Sequence, residues 1–276
     1  MNTIKELEIK AVEIRKIMLQ MIHDAGAGHT GGSLSSVDIL VSLFYNKMKH
    51  DANNPNWDER DRFLLSKGHS VEGYYSVLAD SGYFPKEDLS TFSKFKSELI
   101  GHPNKNVPGV EMNTGSLGHG LPIGVGMALG AKKLGNPCTI YVLMGDGELA
   151  EGSIWEAAMA ASNYKLDNLI AIIDRNGLQI SGCTEDVMSL ENLKEKWAAF
   201  GWDTIEVDGN NMQSLIEGLD IAKKRKGKPQ MIIAKTIKGK GVSFMENVPT
   251  WHHGVPSKEE LEQALKELDN SLKELM

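Results

Sequence analysis

The sequence predicts an α/β protein of three layers, with a mostly parallel sheet between two layers of helices. Three observations predict it. Short β-branched apolar runs alternate with longer amphipathic stretches along the chain. The runs are apolar at successive positions, so both faces of the strands are covered, as in a parallel sheet packed between helices. Two of the runs end in polar turns, Gly145-Asp146-Gly147 and Asp174-Arg175-Asn176. An open α/β sheet gathers its ligands at such strand ends.

The elements follow in order. Ile4, Leu7, Val12, Ile14, Met18, Met21 and Ile22 recur at a helical period, and Ala25-Gly26-Ala27-Gly28 stops the helix. His29-Thr30-Gly31-Gly32-Ser33 reads as a polar, glycine-rich loop, and a second helix is expected over 36–45, with Asp38 in its first turn. A loop at 53–56 leads to a candidate strand over 62–66, closed by Lys67-Gly68-His69. Further strands are expected at 139–144, 169–173, 204–207 and 231–234. Helices are expected at 118–134, 153–164, 190–200 and 211–224. The last helix, 257–275, opens on a capping box formed by Ser257 and Glu260. The basic run 223–226 reads as a helix end complementing its dipole. No internal repeat, low-complexity tract or linker is visible.

Composition excludes several classes. The chain has 276 residues and a formal charge of −7, which disfavours sequence-independent nucleic-acid binding. No apolar run is long enough to span a bilayer. Cys138 and Cys183 cannot make a disulfide scaffold or a four-cysteine zinc site. The N-terminus is charged and helical and lacks an apolar signal core, so a cytoplasmic protein is expected. Glycine is frequent, 28 of 276 residues, and clustered, and the clusters mark the places to look for chemistry.

Asp146 and Asn176 are 30 residues apart, which accommodates one crossover helix and two turns. Adjacent parallel strands would then set a carboxylate beside an amide oxygen. Hard oxygen ligands suit Mg²⁺, which takes few protein ligands and completes its shell with phosphate oxygens and water. Gly145 and Gly147 would let a diphosphate approach the backbone. By itself Gly-Asp-Gly is equally a common strand-end turn. His29, His69, His102 and His252 lie on four separate segments that a fold could converge on one cleft. There, neutral-to-cationic imidazoles would orient the hydroxyls and neutralise the anions of a phosphosugar. A zinc cluster is not expected, because no histidine pair has i, i+4 spacing. Gly124-Val-Gly126-Met-Ala-Leu-Gly130 does not fit the dinucleotide fingerprint: it has one residue too many and no good strand before it.

The motifs in sequence resemble transketolase. They are Gly28-His29-Thr30-Gly31-Gly32, Asp61 through His69, Gly101-His102-Pro103, Thr114-Gly115-Ser116-Leu117-Gly118, Gly145-Asp146-Gly147-Glu148 with Glu151-Gly152, and Tyr164 through Leu169. Gly145-Asp146-Gly147 with Asn176 is the thiamine diphosphate motif of that family. The resemblance implies the thiamine diphosphate-binding fold, in its diphosphate-binding domain, over 1–276. It implies Mg²⁺ held by Asp146, Asn176 and the Leu178 carbonyl, and a diphosphate contacted by His69, Gly147 and Lys238. It further implies an aminopyrimidine held by the backbone at Gly115 and Leu117, and His29, His102 and His252 acting on substrate or cofactor. His253 competes with His252 for that role. Glu151 resembles the glutamate that links two active sites across a dimer. His119 stands where many transketolases have glutamine.

The family's pyrimidine-binding domain, with the glutamate that protonates the pyrimidine, has no counterpart in these residues. The resemblance therefore implies an N-terminal subunit paired with a separate C-terminal subunit, as α2β2. The pair would move a two-carbon ketol unit from a ketose phosphate to an aldose phosphate. A related thiamine diphosphate enzyme acting on a branched sugar, a sulfosugar or a deoxyxylulose-type substrate is the alternative.

Overall fold

In the computed structural model, which describes residues 2–276, the first helix α1 (Ile4–Ala25) forms where the helical period predicts it. Thr3 and Glu6 make a capping box at its start, and Gly26 ends it in the left-handed conformation at φ 63°. α2 (Thr30–Ser42) departs from the expected loop. The glycine-rich segment is the first turn of a helix whose thirteen residues are all buried. A helix buried on every side has no polar face, so it carries no 3.6-residue signal. Gly32 is required by packing, because a Cβ there would lie 2.7 Å from Ser70 Oγ. A π-helical turn, Leu43–Lys47, follows.

β1 (Arg62–Leu65) leads through a 3-10 turn, Gly68–Ser70, into α3 (Val71–Asp80), a buried helix with no counterpart in the sequence pattern. Then come α4 (Gly120–Leu134), β2 (Ile140–Gly145), α5 (Gly152–Asn163) and β3 (Leu169–Arg175). A two-stranded antiparallel hairpin, β4 (Leu178–Gln179) and β5 (Gly182–Cys183), and the short α6 (Thr184–Val187) likewise lie outside the expected elements. α7 (Leu193–Ala199) is shorter than expected. β6 (Asp203–Asp208), α8 (Met212–Lys224), β7 (Gln230–Lys235) and α9 (Lys258–Leu275) complete the order. Ser257 caps α9 through the expected box with Glu260.

The five-stranded sheet runs β1-β2-β3-β7-β6, and every neighbouring pair is parallel. Strand pleating sends alternate residues to opposite faces. Phe63, Leu65, Tyr141, Leu143, Ile170 and Ile172 meet α1, α2, α3, α8 and α9 on one side. Leu64, Val142, Met144, Ala171 and Ile173 meet α4, α5 and α7 on the other. β6 corrects the expectation of strands covered on both faces: it is the edge strand, with Glu206 exposed. Gly145 pairs with Asp174, so β2 and β3 end level with each other. Among the described residues, no helix is long and apolar enough to cross a membrane.

Candidate active site at the ends of β2 and β3

The level ends of β2 and β3 bring Asp146 and the turn after Arg175 together. Asp146 is buried, and its carboxylate is held from both sides. Oδ1 accepts from Gly147 N at 2.9 Å, and Oδ2 accepts from Gly177 N at 2.6 Å and from Arg175 at 3.1 Å. Asn176 Oδ1 accepts from Leu178 N at 3.1 Å, which folds the turn over the aspartate. Burial and the neighbouring Asp174 raise the Asp146 pKa, against the pull of Gly177 N–H and Arg175.

A cavity of about 330 Å³ opens at these strand ends. His29, His69, Leu117, Asp146, Gly147, Asn176, Leu178, Lys238 and His252 all line it, which gathers nine of the residues singled out in the sequence. His102 is not among the lining residues, but its ring is 4.7 Å from that of His69, which is. Gly115 adopts φ 133° beside the His102 ring, and a Cβ there would lie 2.4 Å from it, so a side chain would collide. Glu151 stands apart: it is exposed at the N-cap of α5 and is not among the residues lining the cavity. His119 is exposed too, near the carbonyl of Leu117.

The four histidine segments do converge. The ring centroids of His29 and His69 are 5.0 Å apart, and those of His29 and His252 are 5.9 Å apart. Their surroundings weaken their basicity. Burial, then the mutual repulsion of the imidazoles, lowers the pKa of His29 to about 3. Burial, then Lys238, does the same to His252. His69 and His102 are also lowered, chiefly by burial. Burial thus favours the uncharged form of these rings, which can donate or accept hydrogen bonds. Lysine carries the positive charge. Lys238 Nζ donates to Leu178 O at 3.1 Å, and burial, then the neighbouring Lys67, brings its pKa down to about 8.

Several residues to which the sequence assigns no role organise the site. Glu148 is buried; its carboxylate accepts from Gly118 N at 2.9 Å, from Gly145 N at 3.1 Å and from Ser66 Oγ. It thereby pins the loop carrying Gly115 and Leu117 to the end of β2. Glu72 accepts from His29 N at 2.9 Å and Ser33 Oγ at 2.6 Å, fixing the start of α2. Buried Asp174 accepts from Lys67, Thr236 and, at 2.7 Å, Ser35. Burial opposes its ionisation, but Lys67 and these hydrogen bonds hold its pKa below the usual carboxylate range. Lys67 and Glu148 stand within the transketolase-like motifs. Glu72 carries no sequence signal, because nothing in its local pattern marks it as buried.

The donor chemistry fits a hard cation. Asp146, Asn176 and the Leu178 carbonyl offer oxygen, and the carbonyl's second lone pair remains when Lys238 donates to the first. Open parallel sheets bind ligands in this crevice at the carboxyl ends of their strands, and this domain is of that class. A family model described as "Transketolase, thiamine diphosphate binding domain" matches residues 7–270. The chain is 48% identical over 272 residues to one subunit of the apulose-4-phosphate transketolase of Phocaeicola vulgatus, covering 99% of this chain and 97% of that one. It is 44% identical to a 6-deoxy-6-sulfo-D-fructose transketolase subunit of Clostridium sp., covering 96% of each. The solved transketolase of Campylobacter jejuni superposes with a TM-score of 0.90 at 35% identity, covering 98% of this chain and 43% of that chain. The chain belongs to the transketolase family and spans less than half the length of that enzyme.

Proposed function

We propose that the chain is the N-terminal subunit of a thiamine diphosphate- and Mg²⁺-dependent transketolase that is active with a separate C-terminal subunit carrying the pyrimidine-binding domain, as α2β2. It moves a two-carbon ketol unit from a ketose phosphate, or from a related branched sugar phosphate or sulfosugar, to an aldose phosphate. The observation that carries the reading is the cavity in which a buried carboxylate, an amide oxygen, a buried lysine and several histidines meet at adjacent strand ends. Asp146, Asn176 and the Leu178 carbonyl would hold Mg²⁺. Lys238, His69 and the Gly147 backbone would receive the diphosphate. The hydrogen bond from Lys238 Nζ to the Leu178 carbonyl supports this reading, since it holds a cationic group next to the proposed metal ligands. Gly115 and Leu117 would support the aminopyrimidine, and Glu151 would face the second active site. Thiamine diphosphate, when bound, supplies the carbanion chemistry. His29, His102 and His252 orient the donor's hydroxyls and pass protons between neutral rings, which burial favours.

The donor ketose is a separate question. The names of the relatives favour apulose 4-phosphate or 6-deoxy-6-sulfo-D-fructose over a common ketose phosphate. Co-purified with its companion subunit, the enzyme should turn over one of these donors with a kcat/KM at least tenfold above the rest. Asp146→Ala tests the metal assignment: Mg²⁺-dependent binding of thiamine diphosphate to the complex, followed by calorimetry, should disappear. An unchanged affinity would remove Asp146 from the metal site.

A further inference from the structure

We propose that His29, His252 and His253 form a second cation site, for a borderline divalent ion such as Zn²⁺. One imidazole nitrogen from each lies within 4.8 Å of the other two. The ring of His253 is 4.2 Å from that of His29 and 5.0 Å from that of His252, centroid to centroid. Zinc–nitrogen bonds of about 2.1 Å in a tetrahedral site put ligand nitrogens about 3.4 Å apart. The three nitrogens therefore need to close by little more than ~1 Å, and exposed His253 is free to supply that movement.

The other two ligands are prepared. His29 is fixed through its backbone, whose N–H donates to Glu72. His252 Nδ1 is buried and has no hydrogen-bond partner, so no protein group competes for that side of the ring. The turn bearing His252 and His253 is clamped to α2, because Thr30 Oγ1 donates to Gly254 O at 2.5 Å. The donor set decides the ion. Three imidazole ligands suit zinc, cobalt, nickel or copper, whereas the oxygen set of Asp146, Asn176 and Leu178 suits magnesium. The sequence spacing hid this triad, since its members come from two distant segments.

All three histidines line the same cavity as Asp146, so an ion there would compete with a cofactor or donor sugar bound in that cavity. Occupied, the site would inhibit. This consequence rests on the cofactor reading above; the binding of the ion does not.

The test uses the metal-free full chain titrated with Co²⁺, a spectroscopic stand-in for zinc. One equivalent should give the intense visible bands of a tetrahedral cobalt centre, and Zn²⁺ should displace them. His29→Gln and His253→Gln should each weaken binding more than about tenfold, while Asp146→Asn should leave it unchanged. His253 is exposed, so its variant keeps the fold. Absence of the tetrahedral signal, or the same signal in His253→Gln, overturns the site. So does a weak octahedral spectrum that moves with Asp146→Asn. In the complex with the companion subunit, thiamine diphosphate with Mg²⁺ should suppress the cobalt bands. Binding without that competition would uphold the triad and overturn the placement of the cofactor.

Discussion

Arg175 ties the candidate metal ligand to the segment that follows β3. Its guanidinium donates to Asp146 Oδ2 at 3.1 Å, Thr184 Oγ1 at 2.7 Å, Glu185 Oε1 at 2.6 Å and Glu191 Oε1 at 3.0 Å. Hydrogen bonds to charged groups contribute about 1.5–3 kcal/mol each when buried, and less where Glu185 and Glu191 meet solvent. Arg175→Met should therefore loosen residues 184–191. Amide hydrogen exchange there should accelerate by about tenfold or more, with the sheet core unaffected. An unchanged exchange rate would show that the segment is held without the arginine. Gly115 gives a second prediction at this scale. Gly115→Ala forces a side chain onto the His102 ring at a positive φ. It should cost more than about 1 kcal/mol in denaturant unfolding and displace the ring from His69.

At the scale of elements, the end of α3 is a junction. Asp80 accepts from Tyr45 Oη at 2.5 Å and Lys86 Nζ at 2.5 Å, and its Oδ2 lies 3.0 Å from Lys10 Nζ on α1. Burial alone would raise its pKa, but these partners prevail and hold it below the usual value. A depressed carboxylate stabilises the fold fully above its unfolded pKa, about 3.9. That contribution is lost as pH falls through the lower folded pKa. Asp80→Asn should cost about 1–3 kcal/mol at neutral pH, measured from urea midpoints, and the gap from the native chain should shrink as the pH is lowered toward about 2. A constant gap would mean that Asp80 acts only through its shape. The helices divide along a physical line. α1, α8 and α9 announce themselves in the sequence because each has a solvent face. α2 and α3 are buried and show no such alternation. The short hairpin of β4 and β5 has too few residues to make a pattern.

For the whole molecule, large apolar side chains face outward. Phe95 is 92% exposed, and Ile180, Met188 and Val187 join it. Ile180 also reaches the cavity, so apolar surface continues from the site to the outside. Such surface in a family member spanning less than half of a full transketolase suits a companion subunit. Addition of that subunit should lower the fluorescence of a bound hydrophobic dye and slow hydrogen exchange at 180–188. If neither changes, the companion docks elsewhere or not at all.

The sequence by itself determined the layers, the five strands of the main sheet and the polar turns that carry Asp146 and Asn176. Each is a local pattern: an apolar run sets a strand, and a glycine-flanked polar turn marks its end. The order of motifs determined the family. Tertiary structure alone decided that β2 and β3 end together, that Glu148 and Glu72 hold the loops of the site, and that burial lowers the basicity of His29, His69, His102 and His252. It alone brought His29 to His252 and His253. Burial and proximity between distant segments set charge state and ligand geometry, and neither is a property of neighbours along the chain.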